Sequence, residues 1–126
     1  MPIILIADDE PVTRQLIRET LSIDPTLSFV EVKDGVAALE SARVVHPHLI
    51  ILDIMMPKMD GLQVCRLLKA DTVLHAIPVI MMTAHLTPGS ELVALEAGAD
   101  GFVRKPFEEA GLLTTVDRLL QSRTGN

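Results

Sequence analysis

The sequence contains no tryptophan and no tyrosine, and only three phenylalanines, although 48% of its 126 residues are hydrophobic. The core must therefore be aliphatic, built from Leu, Ile, Val, Ala and Met, a composition that suits a parallel sheet covered by helices. Cysteine occurs once, at Cys65, so the chain can form no internal disulfide and has no cysteine framework for a metal site. Its length predicts one domain.

Basic clusters and long apolar runs are also missing. The 11 Lys and Arg residues are scattered along the chain and the formal net charge is −6, so no direct nucleic-acid binding is expected. No apolar run approaches the roughly 20 residues that cross a bilayer. The first residues lack the charged start and cleavage site of a signal peptide. The sequence therefore predicts a cytoplasmic protein without a membrane contact.

Five short apolar segments alternate with segments of helical periodicity. Residues 3–7 and 48–53 are the most uniformly apolar, which indicates strands buried on both faces of a parallel sheet. The alternation predicts an α/β fold: one doubly wound (βα)5 domain over residues 1–126, with a central five-stranded parallel sheet in the order 2-1-3-4-5. The tail at 122–126 is expected to fray. The predicted strands are residues 3–7, 27–32, 48–53, 77–83 and 101–104.

The predicted helices begin after turn residues, and the first, second and fourth end near proline or glycine. The first starts at Pro11, and the others are expected at 36–46, 61–70, about 87–97 and after Pro106. Apolar residues recur at helical spacing in each of them. The expected inner faces are Val12, Leu16, Thr20 and Ile23; Ala38, Leu39 and Ala42; Leu62, Cys65 and Leu68; Leu92 and Leu95; and Leu112, Leu113, Val116, Leu119 and Leu120.

Polar side chains stand at the ends of four predicted strands, and parallel strands bring their carboxyl ends to one edge of the sheet. This edge should carry Asp8, Asp9, Asp53, Thr83 and Lys105. Each residue alone has an ordinary explanation: the carboxylates could cap helices, the threonine could be a plain strand residue, and the lysine could be surface charge. Together they favour a functional site.

The expected chemistry follows from the residue types. Three neighbouring carboxylates repel one another unless a cation joins them. An all-oxygen acidic site with open positions suits Mg²⁺, with Mn²⁺ as a substitute. A carboxylate can attack phosphorus to give an aspartyl phosphate, and the transferred group needs cationic and hydrogen-bonding partners for its oxygens. Asp53 would be the nucleophile, Asp8 and Asp9 would hold the metal, and Lys105 and Thr83 would bind the phosphoryl oxygens.

These motifs resemble a response-regulator receiver domain, the phosphoacceptor half of two-component signalling. The resemblance covers essentially the whole chain. It is carried by Asp8-Asp9 after the first strand, Asp53 with Met55-Met56-Pro57 and Asp60-Gly61, Thr83-Ala84, Gly98-Ala99-Asp100-Gly101, and Lys105-Pro106-Phe107.

The resemblance implies a switch rather than an enzyme with an external substrate. Asp53 would take a phosphoryl group from a phosphohistidine on a histidine kinase or phosphotransfer protein. Mg²⁺ would be bound by Asp8, Asp9, Asp53 and the backbone carbonyl of Met55. The Lys105–Pro106 peptide bond would be cis. Thr83 would move toward the phosphoryl group, and the aromatic Phe102 would turn inward to fill the vacated space, unless it is an ordinary core residue.

By the same resemblance, the surface formed by the fourth helix, fifth strand and fifth helix would control an output domain or partner protein. Glu91, Arg104 and Glu108 are its candidate surface positions, and a homodimer through this surface is a further expectation. Met55 and His85 would flank the line along which water attacks the phosphoryl group. Neither is a carboxamide that could position water, so slow self-dephosphorylation is expected unless His85 points to solvent.

Two other classes of protein remain open at this point. An aspartyl-phosphate phosphohydrolase would use similar chemistry, but such enzymes resemble an Asp-x-Asp motif on the first strand with a cap domain above it. Here the first strand ends in adjacent Asp8 and Asp9, and no segment is left for a cap. A receiver-like scaffold that binds partners without phosphorylation would have no need of the complete acidic, hydroxyl and lysine set.

Overall fold

The computed structural model describes residues 2–84 and 87–124, the side chains of 122–124 excepted. Strands and helices alternate along these residues. The strands are β1 (Ile3–Ala7), β2 (Ser28–Val32), β3 (Leu49–Asp53), β4 (Val79–Thr83) and β5 (Gly101–Arg104). The helices are α1 (Pro11–Leu21), α2 (Gly35–Val45), α3 (Gly61–Ala70), α4 (Ser90–Glu96) and α5 (Glu109–Thr124).

The five strands form one parallel sheet in the order β2-β1-β3-β4-β5, which confirms the predicted architecture. The two uniformly apolar strands, β1 and β3, lie in the interior of the sheet. Every residue of β3 is buried, whereas every residue of β2, at the sheet edge, is only half-buried. Burial on both faces explains why the central strands read as unbroken aliphatic runs.

The sheet separates two apolar layers, because successive side chains of a strand point to opposite faces. One layer lies between the sheet and α2, α3 and α4, and the other lies between the sheet and α1 and α5. Leu5, Ile50 and Leu52 belong to the first layer, and Ile4, Ile6 and Ile51 belong to the second. The strands that end at the candidate site are therefore packed from both sides.

The predicted inner face of α1 is wrong. The helix ends at Leu21 and buries Ile17 and Leu21, whereas Val12 and Ile23 are 67% and 75% exposed. Both sets of residues have helical spacing, so periodicity could not choose between them. In this orientation of α1, Arg14 contacts the sheet, because its Nε donates to Glu31 Oε1 of β2.

The predicted inner face of α4 is also wrong. The helix has seven residues and buries Ala94, while Leu92 and Leu95 are 60% and 49% exposed. A helix of two turns meets the sheet through a single small side chain here, and its larger apolar residues face outward. The inner residues predicted for α2 are buried as expected. Among the described helices, none is both long and apolar enough to cross a membrane.

Candidate functional site

The carboxyl ends of four strands bring the candidate residues together. Asp8 directly follows β1, Asp53 ends β3, Thr83 ends β4, and Lys105 directly follows β5. Asp8, Asp53 and Thr83 are 1%, 5% and 1% exposed, although each carries a polar side chain. Burial of polar groups is unfavourable unless they have partners, so the contacts of these residues indicate what the site is built to hold.

Lys105 is the cation at the centre of the site. Its Nζ lies 2.6 Å from Asp8 Oδ2, 3.1 Å from Asp53 Oδ2 and 3.4 Å from Glu10 Oε1. The Lys105 side chain is 10% exposed, so these ion pairs are largely shielded from water. The peptide bond between Lys105 and Pro106 is cis, and the Lys105 amide donates to the carbonyl of Thr83 at 3.0 Å. The ammonium therefore joins the ends of β1 and β3 from the side of β5.

The acidic residues form a group with the donor set of a hard cation. One carboxylate oxygen each from Asp8, Asp9 and Asp53 lies within 4.8 Å of the others. Asp8 Oδ1 accepts the Glu10 amide at 2.9 Å, while the buried Oδ2 accepts no hydrogen bond of suitable geometry among the described residues, in spite of the nearby ammonium. Oxygen ligands from carboxylates are those that Mg²⁺ prefers, so these residues fit such an ion.

The surroundings of the site shift the pKa values of Asp53 and Lys105. Burial raises the pKa of Asp53, and the neighbouring Asp8 carboxylate raises it further, against the opposing effect of Lys105. Burial alone would lower the pKa of Lys105, but its close pairing with the Asp8 and Asp53 carboxylates outweighs that effect and raises it. Two buried carboxylates thus share one ammonium, and the cluster carries an excess negative charge that a second cation would neutralise.

The loop between β3 and α3 places Met55 beside Asp53. The Met55 amide donates to Asp53 Oδ1 at 3.3 Å, and Met55 is 55% exposed. Asp60 caps α3 by accepting the Gln63 amide at 2.8 Å, and the Gly61 amide donates to the Ile54 carbonyl at 2.9 Å. Both ends of the loop are therefore fixed by hydrogen bonds.

Comparison with known proteins identifies the family. A family model described as "Response regulator receiver domain" matches residues 4–117. The chain belongs to the response-regulator receiver domain family. The DNA-binding response regulator MtrA of Mycolicibacterium smegmatis is 36% identical over 113 residues, which are 90% of this chain and 48% of that protein. The probable transcriptional regulator ycf27 of Cyanophora paradoxa is 39% identical over 123 residues, 98% of this chain and 49% of that protein. This receiver domain thus spans about half the length of these curated relatives.

Solved structures show the same fold. The signal receiver domain of a signal transduction histidine kinase from Syntrophus aciditrophicus has a TM-score of 0.88 and 35% identity, over 97% of this chain and 92% of that one. The chemotaxis response regulator CheY4 of Vibrio cholerae has a TM-score of 0.85 and 29% identity, over 94% of this chain and 98% of that one.

Two residues expected to change position in a receiver domain lie on neighbouring strands. Thr83 is in register with Arg104, and Phe102 is in register with Met81. Phe102 is half-buried and packs against the apolar layer on the α4 side of the sheet. It also lines a surface cavity of about 340 Å³ together with Thr87, Gly89, Ser90, Glu91 and Arg104. His85, the second residue expected to influence the phosphoryl lifetime, lies outside the described residues.

Sequence reasoning missed one residue of this receiver domain's site. A cavity of about 250 Å³ opens above the acidic group, and Glu10 lines it together with Asp9, Asp53, Met55, Ala84 and Lys105. Glu10 also pairs with Lys105. It holds the N-cap position of α1, but its side chain makes no capping hydrogen bond. The position of Glu10 directly after Asp8 and Asp9 is the sequence feature that could have indicated its place in the site.

Proposed function

We propose that this receiver domain accepts a phosphoryl group on Asp53 from a phosphohistidine, in a reaction that depends on Mg²⁺. The observation that carries the proposal is the convergence of Asp8, Asp9 and Asp53 at the carboxyl edge of the sheet, where Asp8 and Asp53 pair with the ammonium of Lys105. Asp53 is the carboxylate at the end of a fully buried strand, so its position is rigid. It is also the one whose pKa is raised by burial and by a neighbouring carboxylate.

The reaction can be described by the bonds that change. A carboxylate oxygen of Asp53 attacks phosphorus, the bond between phosphorus and the histidine nitrogen breaks, and its electron pair stays on the imidazole. Mg²⁺ would be held by Asp8, Asp9, Asp53 and the Met55 carbonyl, and when bound it would neutralise charge on the phosphoryl oxygens. Lys105 exchanges its contact with Asp53 for a phosphoryl oxygen, and the Thr83 hydroxyl donates to another.

The partner that donates the phosphoryl group needs a surface beside Lys105. A cavity of about 340 Å³, lined by Leu16, Thr20, Pro106 and Phe107 among others, lies between α1 and the segment after β5. Leu16 and Val12 are exposed on the same helix. We infer that a histidine kinase or phosphotransfer protein packs against this apolar surface. Leu16→Asp should slow phosphotransfer from such a partner and leave phosphorylation by acetyl phosphate unchanged; equal effects on both would contradict this inference.

The phosphorylated state would act through the surface formed by α4, β5 and α5. Thr83 and Phe102 connect the site to this surface, and α4 exposes Leu92, Val93 and Leu95 on it. A coupling free energy of about 1–3 kcal/mol between the phosphoryl group and this surface would shift a two-state equilibrium partly. The target would be an output domain, a partner protein or a second copy of the chain. Amide NMR shifts on this surface that stay unchanged with beryllium fluoride and Mg²⁺ would contradict the proposal.

The central test is incubation with acetyl phosphate and Mg²⁺, followed by measurement of the intact mass. The wild-type chain should gain one phosphoryl group, and Asp53→Ala should gain none. Asp117→Ala, which removes an exposed carboxylate from α5, should gain one as the wild type does. Labelling of Asp53→Ala, or no labelling of the wild type, would contradict the proposal. Sustained hydrolysis of a generic aryl phosphate would instead favour a phosphohydrolase.

A further inference from the structure

The turn that carries the acidic pair is bonded to a charged side chain of α1. Arg14 Nη1 donates to the backbone carbonyl of Asp8 at 2.6 Å, and Arg14 Nε donates to Glu31 Oε1 at 3.2 Å. The two side chains are only 17% and 25% exposed. Hydrogen bonds from a charged donor are stronger than neutral ones, and they gain further when water is partly excluded. Arg14 therefore links the turn, β2 and α1.

Glu31 is held in place from its other oxygen. Arg18 Nη1 lies 2.8 Å from Glu31 Oε2, one turn further along α1. Glu31 itself is fixed in β2, in register with Ile6 of β1. The Arg18 side chain is 47% exposed, whereas that of Arg14 is 17% exposed. Of these two arginines, Arg14 is the one that bonds to Asp8.

The other polar groups of Asp8 also have hydrogen-bond partners. The Asp8 amide donates to the Val32 carbonyl at 3.1 Å, and Asp8 Oδ1 accepts the Glu10 amide at 2.9 Å. With Arg14 on the Asp8 carbonyl, the amide, the carbonyl and one carboxylate oxygen are all engaged. Oδ2, the buried oxygen that faces Lys105, is thereby directed into the site.

We propose that Arg14, oriented by Glu31, is a positioning residue that holds the turn at Asp8 and Asp9 in the conformation that binds a divalent cation. This inference rests on the proposed function. The inference predicts the direction in which metal affinity changes when Arg14 is replaced, because two effects of Arg14 oppose each other. A nearby positive charge repels Mg²⁺, so a purely electrostatic role predicts tighter metal binding when the charge is removed. A positioning role predicts weaker binding.

The test measures Mg²⁺ affinity directly, by NMR titration of the amides in the β1–α1 turn and by electron paramagnetic resonance of free Mn²⁺ in competition. Arg14→Met keeps the aliphatic part of the side chain and should raise the dissociation constant about tenfold, which corresponds to about 1.4 kcal/mol. Arg14→Lys keeps the charge but cannot place two nitrogens on Asp8 and Glu31, so it should also bind weakly. Arg118→Met removes one exposed arginine from α5, outside this network, and is the control; its metal affinity should equal that of the wild type.

Thermal unfolding of the same variants separates positioning from a general loss of stability. If Arg14→Met does not fold, Arg14→Lys takes its place, because it keeps the positive charge: a purely electrostatic role predicts wild-type affinity, and a positioning role predicts a raised dissociation constant. Unchanged or tighter metal binding by Arg14→Met, or wild-type affinity of Arg14→Lys, would overturn the inference. A wild-type protein that binds no metal would instead contradict the metal part of the proposed function.

Discussion

Replacing Asp53 with asparagine is expected to stabilise the domain at neutral pH when divalent cations are removed by a chelator. In the wild type, Asp8 and Asp53 are only 1% and 5% exposed and share the ammonium of Lys105. Burial and the Asp8 charge raise the pKa of Asp53, so its ionised form is disfavoured in the folded state. The asparagine variant removes that ionised group and leaves Lys105 paired with Asp8 at 2.6 Å.

The pH dependence follows from the direction of this shift. A carboxyl whose pKa is raised on folding contributes stability below its usual pKa of 3.8, and this contribution is lost as the pH rises through the folded-state value. At neutral pH the wild type has lost it, while the carboxamide of the variant cannot ionise. The advantage of Asp53→Asn should therefore be largest near pH 7 and should shrink as the pH falls toward the unfolded-state pKa.

The size of the effect is set by opposing contributions. The variant loses the 3.1 Å contact between Lys105 and Asp53, but it no longer buries an incompletely neutralised charge. An incompletely neutralised buried charge typically destabilises the folded state by about 1–3 kcal/mol. For a domain of this size, about 1 kcal/mol of stability shifts the melting temperature by roughly 4 °C. We therefore expect a rise of about 5 °C, measured by thermal unfolding with circular dichroism across pH 4 to pH 8.

Two controls test the cause. Asp117→Asn removes one exposed negative charge from α5 and should leave the melting temperature nearly unchanged. Saturating Mg²⁺ should stabilise the wild type by about 2.7 kcal/mol at one hundred times the dissociation constant. It should stabilise Asp53→Asn less, because one ligand is weakened. An asparagine variant that is no more stable than the wild type at pH 7, or whose advantage grows as the pH falls, would refute the reasoning.

Three further outcomes are expected. Met55→Asn should speed loss of the phosphoryl group about tenfold, because a carboxamide can position the attacking water through one hydrogen bond of about 1–1.5 kcal/mol; an unchanged decay rate would contradict this. Gly35→Ala should destabilise by about 1–3 kcal/mol in urea unfolding, because its Cβ would lie 1.9 Å from the Met59 carbonyl oxygen; Gly111→Ala, which meets nothing within 4 Å on α5, should be neutral or stabilising. Lys69→Met should cost about 1–3 kcal/mol in the same assay, since the ammonium, on a side chain 20% exposed, serves a carboxylate at 2.8 Å and two carbonyls; wild-type stability would show that these contacts are energetically neutral.

The sheet and the position of the acidic site could be predicted because both follow from local patterns. The aliphatic runs at 3–7 and 48–53 identify central parallel strands, and parallel strands share a carboxyl edge. Asp8 and Asp53 therefore had to lie near each other, although they are far apart in the printed sequence. No pairwise contact had to be guessed for this conclusion.

The contacts that tune the site could not be predicted in this way. Helical spacing fits the exposed Val12 and Leu16 as well as the buried Ile17 and Leu21. The choice between these faces depends on how the helix meets β2, where Arg14 reaches Glu31 across 17 residues of sequence. Such a charged pair leaves no periodic signal, because neither residue belongs to an apolar pattern. The same holds for Lys69 and its partners in the segment before β4.

The division of the core by the sheet has a consequence for how such a domain can diversify. Residues of α1 and α5 pack in one apolar layer and those of α2, α3 and α4 in the other, and none of the described core side chains belongs to both. Substitutions that reshape the helices on one side can therefore accumulate without repacking the opposite side. The backbone of β3 is the shared boundary, so Asp53 keeps its position while the two outer surfaces adapt to different partners.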